Sequence, residues 1–388
     1  MNYTIEPVYF VLPVISLLFV YLGIGNRSGV KLTLVALFVL LYSLSLNGSD
    51  FDGYNMLYRL IVEGEPLRNV HGEPGYYYLM KLSIAIGFDY IAFRSILLSL
   101  TSLVLFYSIS KLSENFALSV FYVSTMFIVY TISAYRQYVV IAFSIFFIYQ
   151  YGKGHKRRAL LGLAGLLLIH VTAILPLACV LFHHVYKGSK TEKQIIFVKT
   201  NYIKLIVFSL ILRVMMTGAL SFGPIKGIIV SILTDHASPN PTLFSFGLIS
   251  RLLFVIVVAY MYHRANEVKT TTRLLFWYYF ISILFYLAIP LEFAMGRLMN
   301  NANILLAILI PVLRYDYDKT EEQPGIIRIR RISSVIILTE ILALVIFTNQ
   351  LLHQDGYTPY RNILRGDKPI ETEEMTEEAI EEEEETNV

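Results

Sequence analysis

The chain has 388 residues, of which 56% are hydrophobic and 16% are charged, and its mean hydropathy is +0.59. This balance excludes an ordinary soluble domain and indicates a protein that crosses a membrane several times. The net charge is only +3 and there is a single cysteine, which excludes an intrachain disulfide and a cysteine-based metal site.

An apolar helix needs roughly 20 residues to cross a bilayer core about 30 Å thick. Ten segments meet or approach this length, and two more are interrupted, by Lys81 in 75–88 and by His170 and Pro176 in 159–182. The predicted fold class is therefore all-α, a polytopic integral membrane protein with about 10–12 transmembrane or re-entrant helices. In chain order the ten segments are 8–25, 30–46, 90–110, 116–135, 137–151, 203–221, 246–262, 274–290, 298–313 and 332–348.

We predict one membrane domain over residues 1–348, with an extracytoplasmic loop and interfacial segment at 47–89. The first apolar run is interpreted as a span and not as a cleaved leader, because the residues before it lack a basic region. Residues 349–370 form a juxtamembrane segment. Residues 371–388 are rich in glutamate, and because like charges repel, this tail is predicted to be disordered and dispensable for chemistry.

Lysine and arginine concentrate in short loops between the apolar segments, as is typical of cytoplasmic loops. These loops all face the cytoplasm only if 75–88 is interfacial or re-entrant on the outer face and 159–182 is a broken helical pair entered from the cytoplasm. The alternative, with both segments as single spans, places several basic loops outside. The first topology brings the loop 47–75, the start of the span with Arg136, and His170 to the outer face of the membrane.

The stretch "SAYRQYVV" places Arg136 and Gln137 between two apolar runs. An arginine within a membrane costs a few kcal/mol, so such residues usually face a protein interior or a polar cavity and have a partner or ligand. A snorkelling arginine at a helix end is the structural alternative, and the neighbouring tyrosines suit it. Gln137 has no part in snorkelling and therefore favours a functional site.

His170 stands in "LLLIHVTAILP". An isolated histidine on an apolar helix is commonly a hydrogen-bonded packing residue. At the suspected helix break beside Thr172, freed backbone groups need polar partners, so a structural role and a functional one both remain open.

The loop after the second segment contains the carboxylates Asp50 and Glu73 near its two ends. Tyr54 and Tyr58 are four residues apart, so with Asp50 they can share one face of a short helix. Acidic loop residues are usually only solvated. Asp50 and Glu73 adjoin apolar segments, however, so a partly desolvated carboxylate there is a candidate general base.

Glu292 and Arg297 flank a later outward turn, where they either pair with each other or leave Arg297 to join Arg136 in an anion site. Arg94, Arg213 and Arg251 lie inside predicted spans and are further candidates. The sequence has no nucleotide-binding motif and no zinc-protease motif. We therefore expect no cofactor, no metal and no nucleic-acid partner, with the energy coming from an activated, lipid-linked substrate.

The order of several short motifs resembles the EpsG family of exopolysaccharide polymerases, whose role is related to that of Wzy-type O-antigen and capsule polymerases. The motifs are "GSDFDGYNMLY", "EPGYYYL", "YRQYVVIAFSIF", "IHVTAILPL" and "GRLMNNANILLAILIP", with "YTPY" at 357–360. The resemblance covers about residues 45 to 315. The positions that match the family are Asp50, Tyr54, Glu73, Gly75, Tyr76, Arg136, Gln137, His170 and Arg297.

The resemblance implies a membrane glycosyltransferase that moves a growing glycan from a polyprenyl pyrophosphate onto a hydroxyl of the next lipid-linked repeat unit. Arg136 and Arg297 would then hold pyrophosphate with help from Gln137, because a guanidinium matches phosphate geometry. The candidate bases are His170 first, then Glu73 and Asp50. Tyr54, Tyr76 and Tyr77 would form a sugar platform or anchor the protein at the interface.

Two departures from the family pattern leave the sugar specificity open: Asn300 and Asn301 stand where an aromatic residue is common, and Phe51 replaces a tyrosine or tryptophan. The expected partners are polyprenyl-pyrophosphate-linked oligosaccharides, membrane lipids and other polysaccharide-assembly proteins. A flippase of lipid-linked sugars would also need a cationic cavity, but no internal repeat with paired broken helices is visible. A glycan ligase would differ only in its acceptor.

Overall fold

The computed structural model describes residues 6–48, 50–67, 73–127, 133–185, 189–220, 246–265, 268–289, 302–320, 340–348 and 361–365. Within these ranges the chain is helical and contains no strand, which confirms the all-α prediction. The helices are α1 (Val8–Tyr21), α2 (Ser28–Phe38), α3 (Phe51–Val62), α4 (Pro74–Ile86), α5 (Tyr90–Leu112), α6 (Phe116–Met126), α7 (Tyr135–Gly152), α8 (Lys156–Gly165), α9 (Ile174–Val185), α10 (Ser189–Leu220), α11 (Phe246–Arg264), α12 (Thr270–Ala288) and α13 (Leu306–Thr320).

Several helices begin and end where their terminal residues favour it. Asp89 and Asn115 accept hydrogen bonds from backbone N–H groups in the first turns of α5 and α6, as N-cap residues do. Pro74 opens α4, and Gly87 ends it with a φ of +90°, a left-handed conformation that glycine adopts without a Cβ clash.

Within the described residues, two helices, α5 and α12, are long and apolar enough to cross a membrane. Five shorter apolar helices in the same ranges fall below that length: Val8–Tyr21, Ser28–Ser43, Phe116–Met126, Val171–Val185 and Leu248–His263. Helix α5 coincides with the predicted span 90–110, whereas α6 ends at Met126, well before the predicted boundary at residue 135. The number of membrane crossings therefore stays a prediction.

Helix α7 lies at the centre of the described packing. It contacts α5, α8 and α12, and Val140, Ile141, Ala142 and Ile145 on it are fully buried. Helix α12 also packs against α9, α10, α11 and α13. Helices α7 and α12 thus join the first half of the chain to the second half, and the start of α7 is held firmly in place.

The predicted interruption of 159–182 is present at His170. Helix α8 is followed by a 3₁₀ turn at Leu166–Leu168, then by extended backbone at His170 and a second 3₁₀ turn at Val171–Ala173. Helices α8 and α9 contact each other, so the chain reverses direction and His170 lies at the tip of a helical pair.

Residues 361–365 return to the end of α2. A π-helical turn, Val39–Ser43, extends α2, and Ser45 then forms an isolated antiparallel bridge with Asn362. The backbone N–H of Leu46 donates to the carbonyl of Arg361 at 2.9 Å, and the Asn362 amide donates to the carbonyl of Leu40 at 2.7 Å. Residues 361–365 and the end of α2 therefore lie side by side.

Candidate active site

Three chain segments meet beside the start of α7. Glu73 directly precedes α4, Arg136 is the second residue of α7, and His170 lies at the tip of the α8–α9 pair. Glu73 has extended backbone, as expected of a residue before a proline. Residues distant in sequence thus converge at one point.

Gly75 allows this convergence. A Cβ at Gly75 would lie 2.7 Å from the carbonyl oxygen of Leu168, which is too close for a real side chain. The absence of a side chain lets the first turn of α4 approach the backbone just before His170. This approach places Glu73 next to the tip of the helical pair.

Glu73 and Arg136 form an ion pair between Oε2 and Nη1. Arg136 Nε also donates to the hydroxyl of Tyr54 at 3.1 Å, and its guanidinium lies 5.3 Å from the Tyr54 ring centroid and 5.9 Å from that of Tyr76. The Glu73 and Arg136 side chains are each 23% exposed. The pair is therefore oriented by aromatic neighbours but still open to a ligand.

His170 contacts the other oxygen of the same carboxylate. Its Nε2 lies 3.8 Å from Glu73 Oε1, and its Nδ1 lies 3.0 Å from Thr172 Oγ1. Nδ1 also accepts a hydrogen bond from the backbone N–H of Thr172 at 3.2 Å. Because Nδ1 is an acceptor, the neutral imidazole carries its proton on Nε2, which faces Glu73.

Tyrosine side chains pack against one another beside Arg136. Tyr54 lies 4.9 Å from Tyr135 and 5.7 Å from Tyr76 between ring centroids. Burial raises the pKa of the Tyr54 phenol above its ordinary value, which the Arg136 charge only partly offsets, and burial raises the pKa of Tyr76 well above its ordinary value. Both phenols are therefore protonated at neutral pH and act as neutral hydrogen-bonding groups.

The structure brings together five of the sequence-predicted residues: Tyr54, Glu73, Tyr76, Arg136 and His170. Tyr76 is only 1% exposed, so its ring supports the guanidinium of Arg136, and a sugar platform there would need the site to open. Tyr77 is also buried, and its hydroxyl donates to the carbonyl of Glu65 at 3.2 Å.

Asp50 is close enough to the site for its charge to act on Tyr54 and Tyr135. Asp50 is exposed directly before α3, one helical turn from Tyr54. Gln137 is buried on α7, so it is less accessible to a ligand than the neighbouring Arg136. Glu292 and Arg297 lie outside the described residues.

Arg94 and Tyr135 lie beside the site and support it. The sequence did not predict this role for either residue. The buried Arg94 donates to the backbone carbonyls of Ser45 and Asn47. Its guanidinium lies 4.8 Å from the ring centroid of Tyr135, the residue before Arg136. In the sequence, Arg94 stands out only as an arginine inside an apolar helix. Its partners are backbone carbonyls, which every residue type has, so the sequence does not identify them.

The arrangement combines a carboxylate, an imidazole and a guanidinium at a partly open surface. The carboxylate can accept a proton from a hydroxyl, and the guanidinium can bind a phosphate oxygen with its remaining N–H groups. Within the described residues, no group of three or more histidine, cysteine, aspartate or glutamate side chains could hold a metal ion.

Comparisons with known proteins point to one family. The model of the EpsG family matches residues 29–362, a range that contains every residue of this site. No curated protein and no solved structure matches the chain.

Proposed function

Because the chain belongs to the EpsG family, we propose that it is a membrane glycosyltransferase that polymerises polyprenyl-pyrophosphate-linked repeat units into exopolysaccharide, capsule or O-antigen. The observation that carries this proposal is the contact of Glu73 with both Arg136 and His170 at the start of α7. Polymerisation of this kind needs a base for a sugar hydroxyl and a fixed cation for a pyrophosphate leaving group. The three side chains supply both.

Arg136 is our candidate for holding the donor pyrophosphate. Its Nη1 is bonded to Glu73 and its Nε to Tyr54, which leaves Nη2 to meet a phosphate oxygen. A preorganised donor of this kind stabilises developing negative charge by several kcal/mol in a water-poor site. Arg297 remains a proposed second cation.

Glu73 is our first candidate for the base, which changes the preference for His170 that followed from sequence alone. Nδ1 of His170 already accepts the Thr172 N–H, so Nε2 carries the proton and cannot act as a base, while it faces Glu73 Oε1 from 3.8 Å. Arg136 bonds Oε2 of Glu73 and leaves Oε1 on the side of His170. Asp50 is exposed, whereas Glu73 contacts both Arg136 and His170, and we place Asp50 last.

In this mechanism Glu73 accepts the proton of the acceptor hydroxyl while the hydroxyl oxygen attacks the anomeric carbon of the donor glycan. The bond from that carbon to the pyrophosphate oxygen breaks, and the polyprenyl pyrophosphate leaves with the electron pair against Arg136. Glu73 then releases its proton to water. The lipid-linked donor supplies the leaving group, so the transfer needs no nucleotide.

A membrane location is supported by the surface of the described helices. Large apolar side chains are exposed on α1, α2, α5, α9 and α10, where a soluble protein would present polar groups. We propose the bacterial cytoplasmic membrane, with the site at its outer face, because the basic loops favour that orientation. Examples are Val14, Leu18, Leu32, Leu100, Leu103, Phe182, Phe208 and Met215.

The proposal is tested by the lipid-linked glycan profile of cells that carry Arg136→Ala, with protein level checked by immunoblot. We expect long chains to disappear while single repeat units accumulate on the outer leaflet. Arg59→Ala is the matched control, because Arg59 is an exposed arginine on α3 outside the site. Accumulation on the inner leaflet would identify a flippase, and long chains that form but are not transferred would identify a ligase.

A further inference from the structure

Arg251 is a further arginine inside an apolar helix, and its partners differ from those of the arginines described above. Its Nη1 donates to the Tyr286 hydroxyl at 2.6 Å, and its guanidinium carbon lies 4.4 Å from the Tyr286 ring centroid. No carboxylate of the described residues forms an ion pair with it. The phenol therefore orients Arg251 without neutralising its charge.

Three other arginines of the apolar helices are bonded to backbone carbonyls or to a carboxylate. Arg94 donates to two backbone carbonyls, and Arg136 is paired with Glu73. Arg213 donates to the carbonyls of Tyr286 and Ile289, both at 3.2 Å. These bonds give Arg94 and Arg213 structural roles, whereas a single phenol leaves most N–H groups of Arg251 for a ligand.

A second arginine lies near Arg251. Arg213 and Arg251 approach the same residue, Tyr286, from α10 and α11, and the sequences of α11 and α12 contain no aspartate or glutamate. Among the described residues Arg251 has no counter-charge, and a partly buried charge of this kind in a membrane helix commonly marks a substrate site. An anionic ligand would supply the missing charge.

Given the proposed function, the reaction needs two pyrophosphates at different places. The donor pyrophosphate is bonded to the reacting carbon and must lie beside Glu73 and Arg136. The acceptor carries its own pyrophosphate at the other end of its oligosaccharide, so that group needs a cation separated from Glu73. Helix α12 packs against α7, and in the expected topology the Tyr286 end of α12 and the Arg136 end of α7 both face outward.

We propose that Arg251, oriented by Tyr286 and flanked by Arg213, binds the pyrophosphate of the acceptor lipid. This inference rests on the proposed function and assigns the second lipid-linked substrate to a second site. Arg251 binds and positions the acceptor and takes no part in proton transfer.

The test counts prenyl pyrophosphates bound to the purified full-length protein. Farnesyl pyrophosphate is titrated into protein in phosphatidylcholine nanodiscs, and the bound number is read by native mass spectrometry. We expect two bound molecules per chain in the wild type and one in both Arg251→Gln and Arg136→Gln, with affinity at the altered site reduced about thirtyfold or more.

Two further variants serve as controls. Tyr286→Phe should weaken the Arg251 site without abolishing it, and Arg59→Gln, at an exposed position, should still bind two molecules.

Each outcome has a distinct meaning. If Arg251→Gln leaves the bound number unchanged while Arg136→Gln lowers it, the second site is refuted and the proposed function stands. If the wild type binds no farnesyl pyrophosphate, both proposals fail. If phosphatidylglycerol added to the nanodiscs displaces farnesyl pyrophosphate from the Arg251 site, the site binds an ordinary phospholipid and the substrate assignment is overturned. Thermal unfolding of each variant identifies any that do not fold.

Discussion

At the scale of single residues, Glu73 is shared between two partners. One carboxylate oxygen bonds Arg136, and the other lies 3.8 Å from His170 Nε2. A purely structural ion pair would not need a histidine on its second oxygen, and it would not need to remain partly exposed. The carboxylate is therefore both the counter-charge of Arg136 and our candidate base, and both roles need its ionised form.

Replacing Glu73 by glutamine keeps the size of the side chain but removes the base. We expect polymer formation to fall by about 100-fold to 10,000-fold, the usual contribution of a general base, while the protein remains in the membrane. The measurement is the chain-length distribution of lipid-linked glycan at equal protein level. Glu63→Gln, at an exposed position of the same loop region, should behave as wild type, and equal losses in both variants would contradict a specific role for Glu73.

His170 both caps a turn and contacts the carboxylate, and two substitutions separate these roles. Asparagine can still accept the Thr172 N–H but cannot reach Glu73 with a ring nitrogen, whereas alanine loses both contacts. We expect His170→Asn to unfold at nearly the wild-type temperature and His170→Ala to lose about 1 kcal/mol of stability, as for other caps. Both should lose polymerisation activity. Full activity in His170→Asn would show that His170 only caps the turn.

At the scale of elements, the site depends on the fit between the first turn of α4 and the tip of the α8–α9 pair. Gly75→Ala would place a Cβ 2.7 Å from the Leu168 carbonyl oxygen, which forces the two elements apart and moves Glu73 away from His170. We expect a large loss of polymerisation with the protein still folded, measured as the ratio of long chains to single repeat units.

Gly53→Ala is the control for this substitution. Gly53 lies exposed on α3, and a Cβ added there would have no neighbouring atom within 4 Å. Alanine in place of glycine in a helix usually adds roughly 0.5–1 kcal/mol of stability. Wild-type activity in Gly53→Ala together with wild-type activity in Gly75→Ala would contradict the close approach of α4.

The sequence predicts the elements of the site better than their contacts. Glu73 and Arg136 stand at the ends of apolar segments, and the polar His170 with Pro176 marks the broken pair, so position and polarity suffice to select them. The support by Arg94 was not predictable, because its partners are the backbone carbonyls of Ser45 and Asn47, and every residue type has a carbonyl. The end of α6 was also missed, since "FIVYTIS" continues the apolar pattern beyond Met126.

At the scale of the whole molecule, the contacts restrict how the chain can cross a membrane. Helices α4, α5 and α6 lie between Glu73 and Arg136, and if all three crossed, the two side chains would stand on opposite faces. Their ion pair therefore favours two crossings among these three helices. We expect α4 to remain at the interface, because the exposed Lys81 lies at its middle. The bridge between Ser45 and Asn362 likewise requires an even number of crossings between those residues, so the α8–α9 pair should also begin and end on one side.

Cysteine labelling distinguishes this topology from the alternative in which both segments cross. In a Cys179→Ala background, single cysteines replace Asp52, Arg157 and Leu364, which are all exposed. A membrane-impermeant maleimide applied to intact spheroplasts should label Asp52→Cys and Leu364→Cys, whereas Arg157→Cys should react only after permeabilisation. If both 75–88 and 159–182 crossed, the loop with Arg157 would face outward and would be labelled at once. That result would separate Arg136 from Glu73 across the bilayer and would therefore contradict the site itself, not only the topology.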